Sequence, residues 1–445
     1  MSLDGIQCLS SLFKGKVMKK IDQILTRVEG EGSISLFYEN NMLKDIKLNI
    51  FEPPRFIEGI LKGKEYFRII DVTSRICGIC PVAYQISGVQ AIEDAFKVEV
   101  PSEIENLRRL YYFGEWIQSH SIHVFFLHLP DFFNKSSVIE VAKENPELLK
   151  IGNIIKNAGS SIIQTLGGRV SHPVSIAVGG FTKFADEKQL KTILPLLEKA
   201  LDLSIYALNR LSELKFLENN IPDIHFLSLE ENEYPILKGE IISNKGLRFT
   251  KEEFDKIIKE YQTKNSTAKR AKLFGKETYI VGPISRFNNS FEKLSYTAYR
   301  SSKKIGLYPT VRNSFKTLLI RIVEIIHSLE RSIEIINNYS SENIKNKNFT
   351  IKEGIGYGIS EAPRGILWHK YRFDRRGRVL QADIIPPTSQ NQDIMEISVK
   401  NMIMGKENIN DILRTGEMII RNFDPCISCA THFLKIGKIK GKKIS

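Results

Sequence analysis

The sequence predicts an α+β protein that is mainly helical, with a central bundle of long helices and small α+β subdomains. Apolar residues recur at helical spacing over long stretches, for example over 313–338, and shorter alternating segments fit strands. A Cys-x-x-Cys pair also stands near each end, Cys77 with Cys80 and Cys426 with Cys429. Because this spacing lets one backbone turn aim two sulfurs at one ion, we expect a metal site buried between the two motifs.

The composition is that of an ordinary globular protein. The chain has 445 residues, 42% hydrophobic and 26% charged, which is enough for two or three domains. The net charge of +13 comes from dispersed basic residues without interleaved aromatics, so we expect no nucleic-acid partner. Five cysteines are too few for a disulfide scaffold. The N-terminus lacks an apolar signal segment, and no stretch is apolar over the ~18 residues of a membrane span. We therefore expect a cytoplasmic protein that spans no membrane.

The N-terminal stretch predicts a hairpin. Residues 1–20 are polar, and we expect them to be irregular and flexible. Ile46, Leu48 and Ile50 then alternate with polar residues, and a turn-like Glu-Asn-Asn stands just before this segment. This pattern predicts a β-hairpin over 32–51.

Five helices follow from apolar periodicity and from their end signals. Three are expected to begin at a proline, which suits the first helical turn: Pro81, Pro101 and Pro146. Pro130 should end the second of these helices. Asp186 should cap a fourth helix that runs past Leu211, and residues 313–338 form the fifth. Their wide apolar faces predict a buried helical bundle.

The remaining stretches are less regular. Residues 216–285 are charged and broken, which predicts short strands and helices, whereas the frequent Gly and Pro of 350–395 predict loops shaped around a site. We therefore expect a flexible segment (1–20), an α+β region with the first cysteine pair (21–100), a helical bundle (101–215), an α+β insert (216–300), a bundle helix (301–350), an active-site region with the second cysteine pair (351–432) and a tail (433–445).

Three interpretations of the four cysteines compete. A structural zinc site would use four cysteine ligands, but its pairs usually lie within a few dozen residues, not more than three hundred apart. A thioredoxin-like redox pair needs a βαβ setting, which neither pair has. A transition-metal active site closed by both ends of the chain also suits soft thiolates. Spacing alone leaves the zinc site and the active site open.

The neighbouring residues distinguish them. Arg75-Ile76-Cys77-Gly78-Ile79-Cys80 and Asp424-Pro425-Cys426-Ile427-Ser428-Cys429-Ala430-Thr431-His432 resemble the two signature motifs of the nickel–iron hydrogenase large subunit. Further stretches match in the same order: 26–30 (Thr-Arg-Val-Glu-Gly), 167–173, 281–283 (Val-Gly-Pro), 361–365 (Glu-Ala-Pro-Arg-Gly) and 387–388 (Pro-Thr). The resemblance runs from about Ile21 to His432 and is greatest to the cytosolic, cofactor-coupled branch, with its sulfhydrogenase, NAD(P)-linked and F420-linked alpha subunits.

The resemblance implies a binuclear centre. All four cysteines would bind nickel, and Cys80 and Cys429 would also bridge to an iron that carries carbon monoxide and cyanide. Cys77 and Cys426 would be terminal on nickel. The reaction implied is reversible heterolytic cleavage of H2 into protons and electrons. Bridging thiolates are electron-rich and hold two metals close together, which suits this chemistry.

Four further residues match positions that the family uses around this centre. Arg364 resembles the arginine above the iron, which acts as a donor to cyanide or as the base in H2 cleavage. Without the surrounding motif, Arg364 would be interpreted as a surface residue that forms a salt bridge. Asp424 resembles the aspartate that orients this arginine, and Thr388 the hydroxyl that binds a cyanide. Glu29 resembles the glutamate that removes protons from a terminal cysteine, although a glutamate before Gly30 could equally be an exposed turn residue.

A second buried metal, magnesium or iron, is also implied. Its ligands would be His432, Glu58 and the backbone carbonyl of Ile384, where Glu58 could alternatively be a plain surface residue. The chain departs from many family members in having Tyr84 four residues after the first pair and Ser119 where uptake-type enzymes have an aspartate. Both departures argue against the membrane-bound uptake branch.

The resemblance also implies partners. With four of the five cysteines at the metal centre, no set remains for an iron–sulfur cluster, so electrons must leave through an iron–sulfur small subunit. From there we expect them to pass to NAD(P)- or F420-reducing subunits, with polysulfide as an alternative acceptor. No Gly-x-Gly-x-x-Gly fingerprint for a nicotinamide cofactor is present. A maturation endopeptidase would cut between His432 and Phe433. The alternatives are a zinc-stabilised binding protein and an energy-converting, membrane-associated hydrogenase.

Overall fold

Long helices form the centre of a mixed α+β structure, which confirms the predicted fold class. The computed structural model describes residues 6–13, 16–40, 42–264, 266–342, 344–404 and 406–431. One hydrophobic core extends through most of this chain, from Ile21 to Ala430. The division into seven regions stays a prediction.

The N-terminal part is an antiparallel sheet in the order β1-β2-β3-β4, made of β1 (Ile6–Phe13), β2 (Lys16–Ile24), β3 (Gly32–Glu39) and β4 (Met42–Ile50). The predicted hairpin is confirmed, with Leu36 opposite Ile46 and both side chains buried. The irregular structure predicted for 1–20 is wrong where the chain is described, because β1 and β2 occupy most of that stretch. Their polar residues do not suggest strands, because the strand structure depends on pairing of β2 with β3, where Leu36 faces Ile21.

Three helices lead into and away from the first cysteine pair: α1 (Ile57–Leu61), α2 (Arg68–Ser74) and α3 (Pro81–Phe96). Pro81 opens α3, as predicted. Most side chains of α3 are buried, because α2 and the C-terminal sheet pack against it.

The bundle begins with α4 (Ser102–Ser121), which continues through a π-helical turn (Ile122–His128) into α5 (Leu129–Phe132). Two separate helices follow, α6 (Val138–Glu144) and α7 (Pro146–Gly167). The prediction that Pro130 ends this helix is wrong, because Pro130 lies in the first turn of α5 and needs no N–H donor there. Gly114 and Gly159 let α4 and α7 pack closely: a Cβ on Gly159 would lie 2.5 Å from the Gly114 carbonyl oxygen.

The expected fourth helix is two helices. A small ribbon, β5 (Ile176–Ala177) with β6 (Gly180–Phe181), precedes α8 (Glu187–Lys191) and α9 (Leu194–Ser212). Asp186 caps α8 as predicted and accepts a hydrogen bond from the Lys188 amide. Pro195 lies in the first turn of α9, where its missing N–H costs no helical hydrogen bond.

The short elements predicted over 216–285 are confirmed: β7 (His225–Glu230), β8 (Glu240–Ser243), β9 (Arg248–Phe249), α10 (Phe254–Ile257), β10 (Ile258–Gln262), β11 (Lys269–Leu273) and β12 (Tyr279–Val281). Two helices follow, α11 (Pro283–Ser290) and α12 (Tyr296–Lys304). A four-stranded sheet has the order β12-β7-β8-β9, and β10 pairs with β11. The fifth predicted helix is α13 (Thr317–Asn337), which packs against α4 and α9 in the bundle.

The loops predicted over 350–395 are wrong, because the segment forms an antiparallel sheet and a helix: β13 (Gly354–Ala362), β14 (Gly365–Phe373), β15 (Val379–Ile385) and α14 (Pro387–Ile403). The glycines are needed for close packing. A Cβ on Gly358 would lie 1.9 Å from the Ser87 carbonyl oxygen of α3, and one on Gly356 equally close to that of Ala91. The chain then forms α15 (Ile409–Asn422) and α16 (Ile427–Ala430). Among the described residues, none of the helices is long and apolar enough to cross a membrane.

Candidate metal centre

The two cysteine pairs meet in the interior. Cys77 and Cys80 lie in the connection between α2 and α3, and Cys426 and Cys429 lie at α16. The four sulfurs lie within 4.8 Å of one another, and all four residues are buried free thiols. The Sγ of Cys426 is 3.2 Å from that of Cys77 and 2.6 Å from that of Cys429, which is 3.8 Å from the Sγ of Cys80. The predicted meeting of the two chain ends is confirmed.

Arg55 connects the two cysteine loops. Its Nη2 donates to the carbonyl oxygen of Ile76, just before the first pair, at 2.6 Å, and to that of Ser428, inside the second pair. Its backbone N–H donates to the Thr431 carbonyl at 2.9 Å. One guanidinium therefore fixes both loops relative to each other.

Glu115 of α4 supports the first pair from behind. Its carboxylate accepts hydrogen bonds from the backbone N–H groups of Val82 and Ala83 at 2.6 and 3.1 Å. These are free donors in the first turn of α3, directly after Cys80. Because Glu115 is fully buried, desolvation raises its pKa well above the ordinary value.

The four sulfurs can all ionise together only around a cation. Burial raises the pKa of the Cys426 thiol, and the hydrogen bond with Cys429 raises it further. Burial opposes ionisation of Cys77 too, but hydrogen bonds from the neighbouring thiols outweigh it and lower its pKa. Four buried thiolates this close would repel one another strongly, so they cannot all ionise without metal ions between them. Soft thiolates with no competing oxygen ligand fit nickel and iron.

Arg364 lies over this cluster, paired with Asp424. It occupies the tight turn between β13 and β14 and is 3% exposed. Its Nε donates to the Asp424 carbonyl oxygen at 2.7 Å, and its Nη2 donates to Asp424 Oδ1 at 3.0 Å. Burial disfavours the charge, but Asp424 and the cysteines outweigh burial and raise the Arg364 pKa well above its ordinary value. Its Nη1 is buried without a hydrogen-bond partner among the described residues, so a donor remains available.

Thr388 and Glu29 contact the second cysteine pair. Thr388, near the start of α14, accepts a hydrogen bond from the Cys426 N–H at 3.0 Å, which leaves its own hydroxyl hydrogen available. Glu29 is half-buried, and its Oε2 accepts from the Ser428 N–H at 3.1 Å. Desolvation and the neighbouring Cys77 raise the pKa of Glu29.

The residues expected at a second metal are described only in part. The Glu58 carboxylate accepts a hydrogen bond from the Ile384 N–H at 2.8 Å, so these two residues are neighbours. His432 lies outside the described residues. Within the described chain, the four cysteines are the one cluster of three or more His, Cys, Asp or Glu side chains that could hold an ion.

Tyr84, the departure from the expected histidine, is fully buried next to the cluster. Its ring centroid is 5.7 Å from that of His369. Burial, reinforced by the charge of Cys429, raises the Tyr84 pKa well above the ordinary value. Tyr84 can therefore donate a hydrogen bond near neutral pH but cannot readily release its proton.

Sequence reasoning missed three residues that act on this site: Arg55, Glu115 and Arg321, whose Nη1 is 3.9 Å from Asp424 Oδ2. None belongs to a recognisable motif. Their partners are remote in sequence, so no local pattern could have identified them.

Four buried thiols closed by both chain ends, under an arginine–aspartate pair, define a thiolate-ligated metalloenzyme. Residues 55–158 and 310–432 match the family described as nickel-dependent hydrogenase. Sulfhydrogenase 2 subunit alpha of Pyrococcus furiosus is 33% identical over 92% of this chain and 98% of that protein. NAD-reducing hydrogenase HoxS subunit beta of Cupriavidus necator is 25% identical over 92% of this chain and 94% of that protein.

The solved structures agree in fold. An NAD+-reducing [NiFe]-hydrogenase in the H2-reduced state superposes with a TM-score of 0.85 over 93% of this chain and 99% of that one, at 23% identity. A Ni-Fe-Se hydrogenase from Desulfovibrio vulgaris Hildenborough superposes with a TM-score of 0.73 over 93% of this chain and 100% of that one, at 19% identity. The chain belongs to the nickel-dependent hydrogenase family, as a catalytic large subunit. The predicted hydrogenase resemblance is confirmed, and the four-cysteine cluster is the candidate site for the metals of this family.

Proposed function

We propose that this chain cleaves H2 reversibly and heterolytically at the four-cysteine centre and passes the electrons to a partner subunit. The observation that carries the proposal is the convergence of four buried sulfurs within 4.8 Å beneath Arg364. When bound, the metals supply the Lewis acidity and redox chemistry for cleavage. The protein residues position H2, exclude water and move the proton.

Arg364 is proposed to act directly at the reacting atoms. Asp424 holds its Nε and Nη2, so Nη1 is the nitrogen left to face a bound group. That nitrogen can donate to a cyanide on the iron or exchange a proton during cleavage. The second role requires a guanidinium that releases its proton, whereas Asp424 and the cysteines raise the Arg364 pKa, so donation to a cyanide is the role that this environment favours.

Thr388 is proposed to bind a second diatomic ligand. Its oxygen already accepts from the Cys426 amide, so its hydroxyl hydrogen is free to donate. Carbon monoxide and cyanide on the iron are part of this proposal. The assignment of Cys80 and Cys429 as bridging ligands and of Cys77 and Cys426 as terminal ligands also belongs to it.

Glu29 is proposed to carry protons away from the centre. It is half-buried, so its carboxylate lies between the buried second cysteine pair and the outside. A raised pKa suits a group that both accepts and releases protons near neutral pH.

A second ion, magnesium or iron, is proposed behind the centre, with His432, Glu58 and the Ile384 carbonyl as ligands. The support is the hydrogen bond that brings Glu58 to the Ile384 backbone, and the hydrogen bond from the Arg55 amide to the Thr431 carbonyl. The latter keeps the chain near α1 immediately before His432.

An iron–sulfur small subunit is the proposed electron partner, and NAD(P)- or F420-reducing subunits are the proposed next acceptors. The names of the relatives support a complex of several subunits and NAD as an acceptor, because they include sulfhydrogenase subunit alpha and NAD-reducing hydrogenase subunit beta. Other relatives are named F420-non-reducing, so the F420-reducing partner rests on the sequence resemblance alone. Polysulfide reduction is included on the same basis. A cytoplasmic location stays a prediction.

The tail after His432 is proposed to be removed by an endopeptidase between His432 and Phe433. The tail carries five lysines in thirteen residues. Intact mass of the nickel-loaded protein tests this: the proposal requires a chain that ends at His432, and a loaded chain that still ends at Ser445 would refute it.

The substitution Arg364→Lys tests the proposed function. A lysine keeps the charge but cannot reproduce the paired hydrogen bonds to Asp424. We expect unchanged nickel content and a fall in H2 turnover of roughly 10²-fold or more. Arg68→Lys, at an exposed arginine of α2, is the control. Near-normal turnover in Arg364→Lys would refute the assigned role.

A further inference from the structure

Asp424 lies between two buried arginines. Its Oδ1 accepts from Arg364 at 3.0 Å, and its Oδ2 is 3.9 Å from Nη1 of Arg321, which is 1% exposed on α13. Two guanidinium groups thus share one carboxylate in an environment that screens charge poorly. An arrangement of this kind is stable only if the position of each partner is fixed.

The same nitrogen of Arg321 also contacts a buried chain of polar groups. Its Nη1 is 3.5 Å from His120 Nδ1, and His120 Nε2 is 2.9 Å from Glu324 Oε2. Glu324 in turn accepts two hydrogen bonds from Arg286, each of 2.8 Å. Because burial lowers the pKa of His120 to about 4, the ring is neutral near pH 7. The neutral ring therefore accepts from Arg321 at Nδ1, whereas its Nε2 lies close to the Glu324 carboxylate without the geometry of a hydrogen bond.

The two arginines both line a small cavity. It has a volume of about 20 Å³, and its lining includes Arg321, Arg364 and Asn422, with mostly apolar residues around them. Among the lining residues, Arg321 Nε, Asn422 Oδ1 and Ser314 Oγ are buried without a hydrogen-bond partner within the described chain. A single water needs about this volume and two to four polar partners.

We propose that Arg321 is a positioning residue: it holds the Asp424 carboxylate against Arg364, and one ordered water, shared with Asn422, completes the arrangement. Arg321 does not itself touch H2 or the metals. It fixes Asp424, Asp424 fixes Arg364, and Arg364 presents Nη1 to the centre. The inference rests on the proposed role of Arg364.

The test compares Arg321→Gln and Arg321→Lys with the wild-type holoenzyme. The matched control is Arg109→Gln, which breaks another buried arginine–carboxylate pair, with Glu231 at 2.9 Å. The measurements are nickel content, kcat and KM for H2, isotope exchange between H2 and D2O, and crystal structures of the wild type and the variants. If Arg321→Gln does not fold, Arg321→Lys alone supplies the comparison.

We expect Arg321→Gln to keep its nickel and its KM for H2 while kcat and the exchange rate both fall roughly 10- to 100-fold, with partial recovery in Arg321→Lys. The structures should show one water between Arg321 and Asn422 in the wild type, and Asp424 turned away from Arg364 in Arg321→Gln. A kcat within about twofold of the wild type at full nickel content would overturn the inference. So would a kcat loss no larger than that of Arg109→Gln. If Arg364→Lys also turns over H2 at a near-normal rate, the proposed role of Arg364 fails. If Arg364→Lys is inactive while Arg321→Gln has normal turnover, only the positioning role of Arg321 fails.

Discussion

Glu29 and Cys426 pair through their backbones as neighbours in a parallel bridge, although 397 positions separate them in the sequence. The Ile427 amide donates to the Glu29 carbonyl at 3.0 Å, and the Ser428 amide donates to the Glu29 carboxylate at 3.1 Å. Residues 26–30, the first stretch that resembles the hydrogenase family, are thereby hydrogen-bonded to the second cysteine motif. This contact places a titratable carboxylate beside the second cysteine pair.

The substitution Glu29→Gln should therefore separate proton movement from metal binding. Glutamine keeps an acceptor for the Ser428 amide but cannot carry a proton. We expect full nickel content with H2 turnover and H2/D2O exchange lower by roughly 10²-fold. The exposed Glu31→Gln is the control and should behave as the wild type. Normal exchange in Glu29→Gln would show that protons leave by another route.

Removal of the Arg55 side chain should weaken the junction between the cysteine loops. The substitution Arg55→Ala leaves the Ile76 and Ser428 carbonyls without their donor, at a cost of roughly 1–3 kcal/mol. We expect a lower melting temperature and a lower nickel content than in the exposed Arg68→Ala. Wild-type nickel content in Arg55→Ala would contradict the proposed role of Arg55.

Buried histidine should make the folded state sensitive to acid. Burial lowers the pKa of His327 to about 3, from 6.5, and its Nδ1 accepts from the Ser295 N–H. The unfolded chain therefore binds more protons below pH 6.5, so stability is complete above that pH and is lost as the pH falls towards 3. Between pH 7 and pH 5, this one histidine should lower the free energy of unfolding by roughly 2 kcal/mol.

The substitution His327→Asn checks this assignment, because asparagine keeps an acceptor for Ser295 and does not titrate. Urea unfolding measures how far the free energy of unfolding falls between pH 7 and pH 5. This fall should be smaller by roughly 2 kcal/mol in the variant than in the wild type. An identical loss in both proteins would mean that His327 does not contribute.

Local signals predicted the parts of the fold that depend on local interactions. Pro81 and Pro146 marked helix starts because the first turn tolerates a missing donor, and the alternation around Ile46 marked a hairpin. Gly356 and Gly358 suggested loops because glycine suits turns; here it allows β13 to approach the α3 backbone. Only the tertiary structure distinguishes these two uses.

The metal centre was predicted from its motifs, whereas its supporting residues were not. Cys77 and Cys426 stand in recognisable patterns, but Arg55 acts through carbonyl groups 21 and 373 positions away. Arg321 likewise sits in an apolar helix pattern that indicates core packing and nothing else. Contacts of this kind depend on how distant segments pack, and a single sequence does not encode them in any local pattern.

Metal analysis of the purified protein tests the central claim, that both chain ends close a nickel–iron centre. We expect about one nickel and one iron per chain at the four cysteines, beyond any iron at the proposed second site or in a co-purified partner. Cys77→Ser should lose the nickel, and the control Cys8→Ser, at the fifth cysteine, should retain it. About one zinc per chain, with no nickel, would contradict the account and support a structural zinc site.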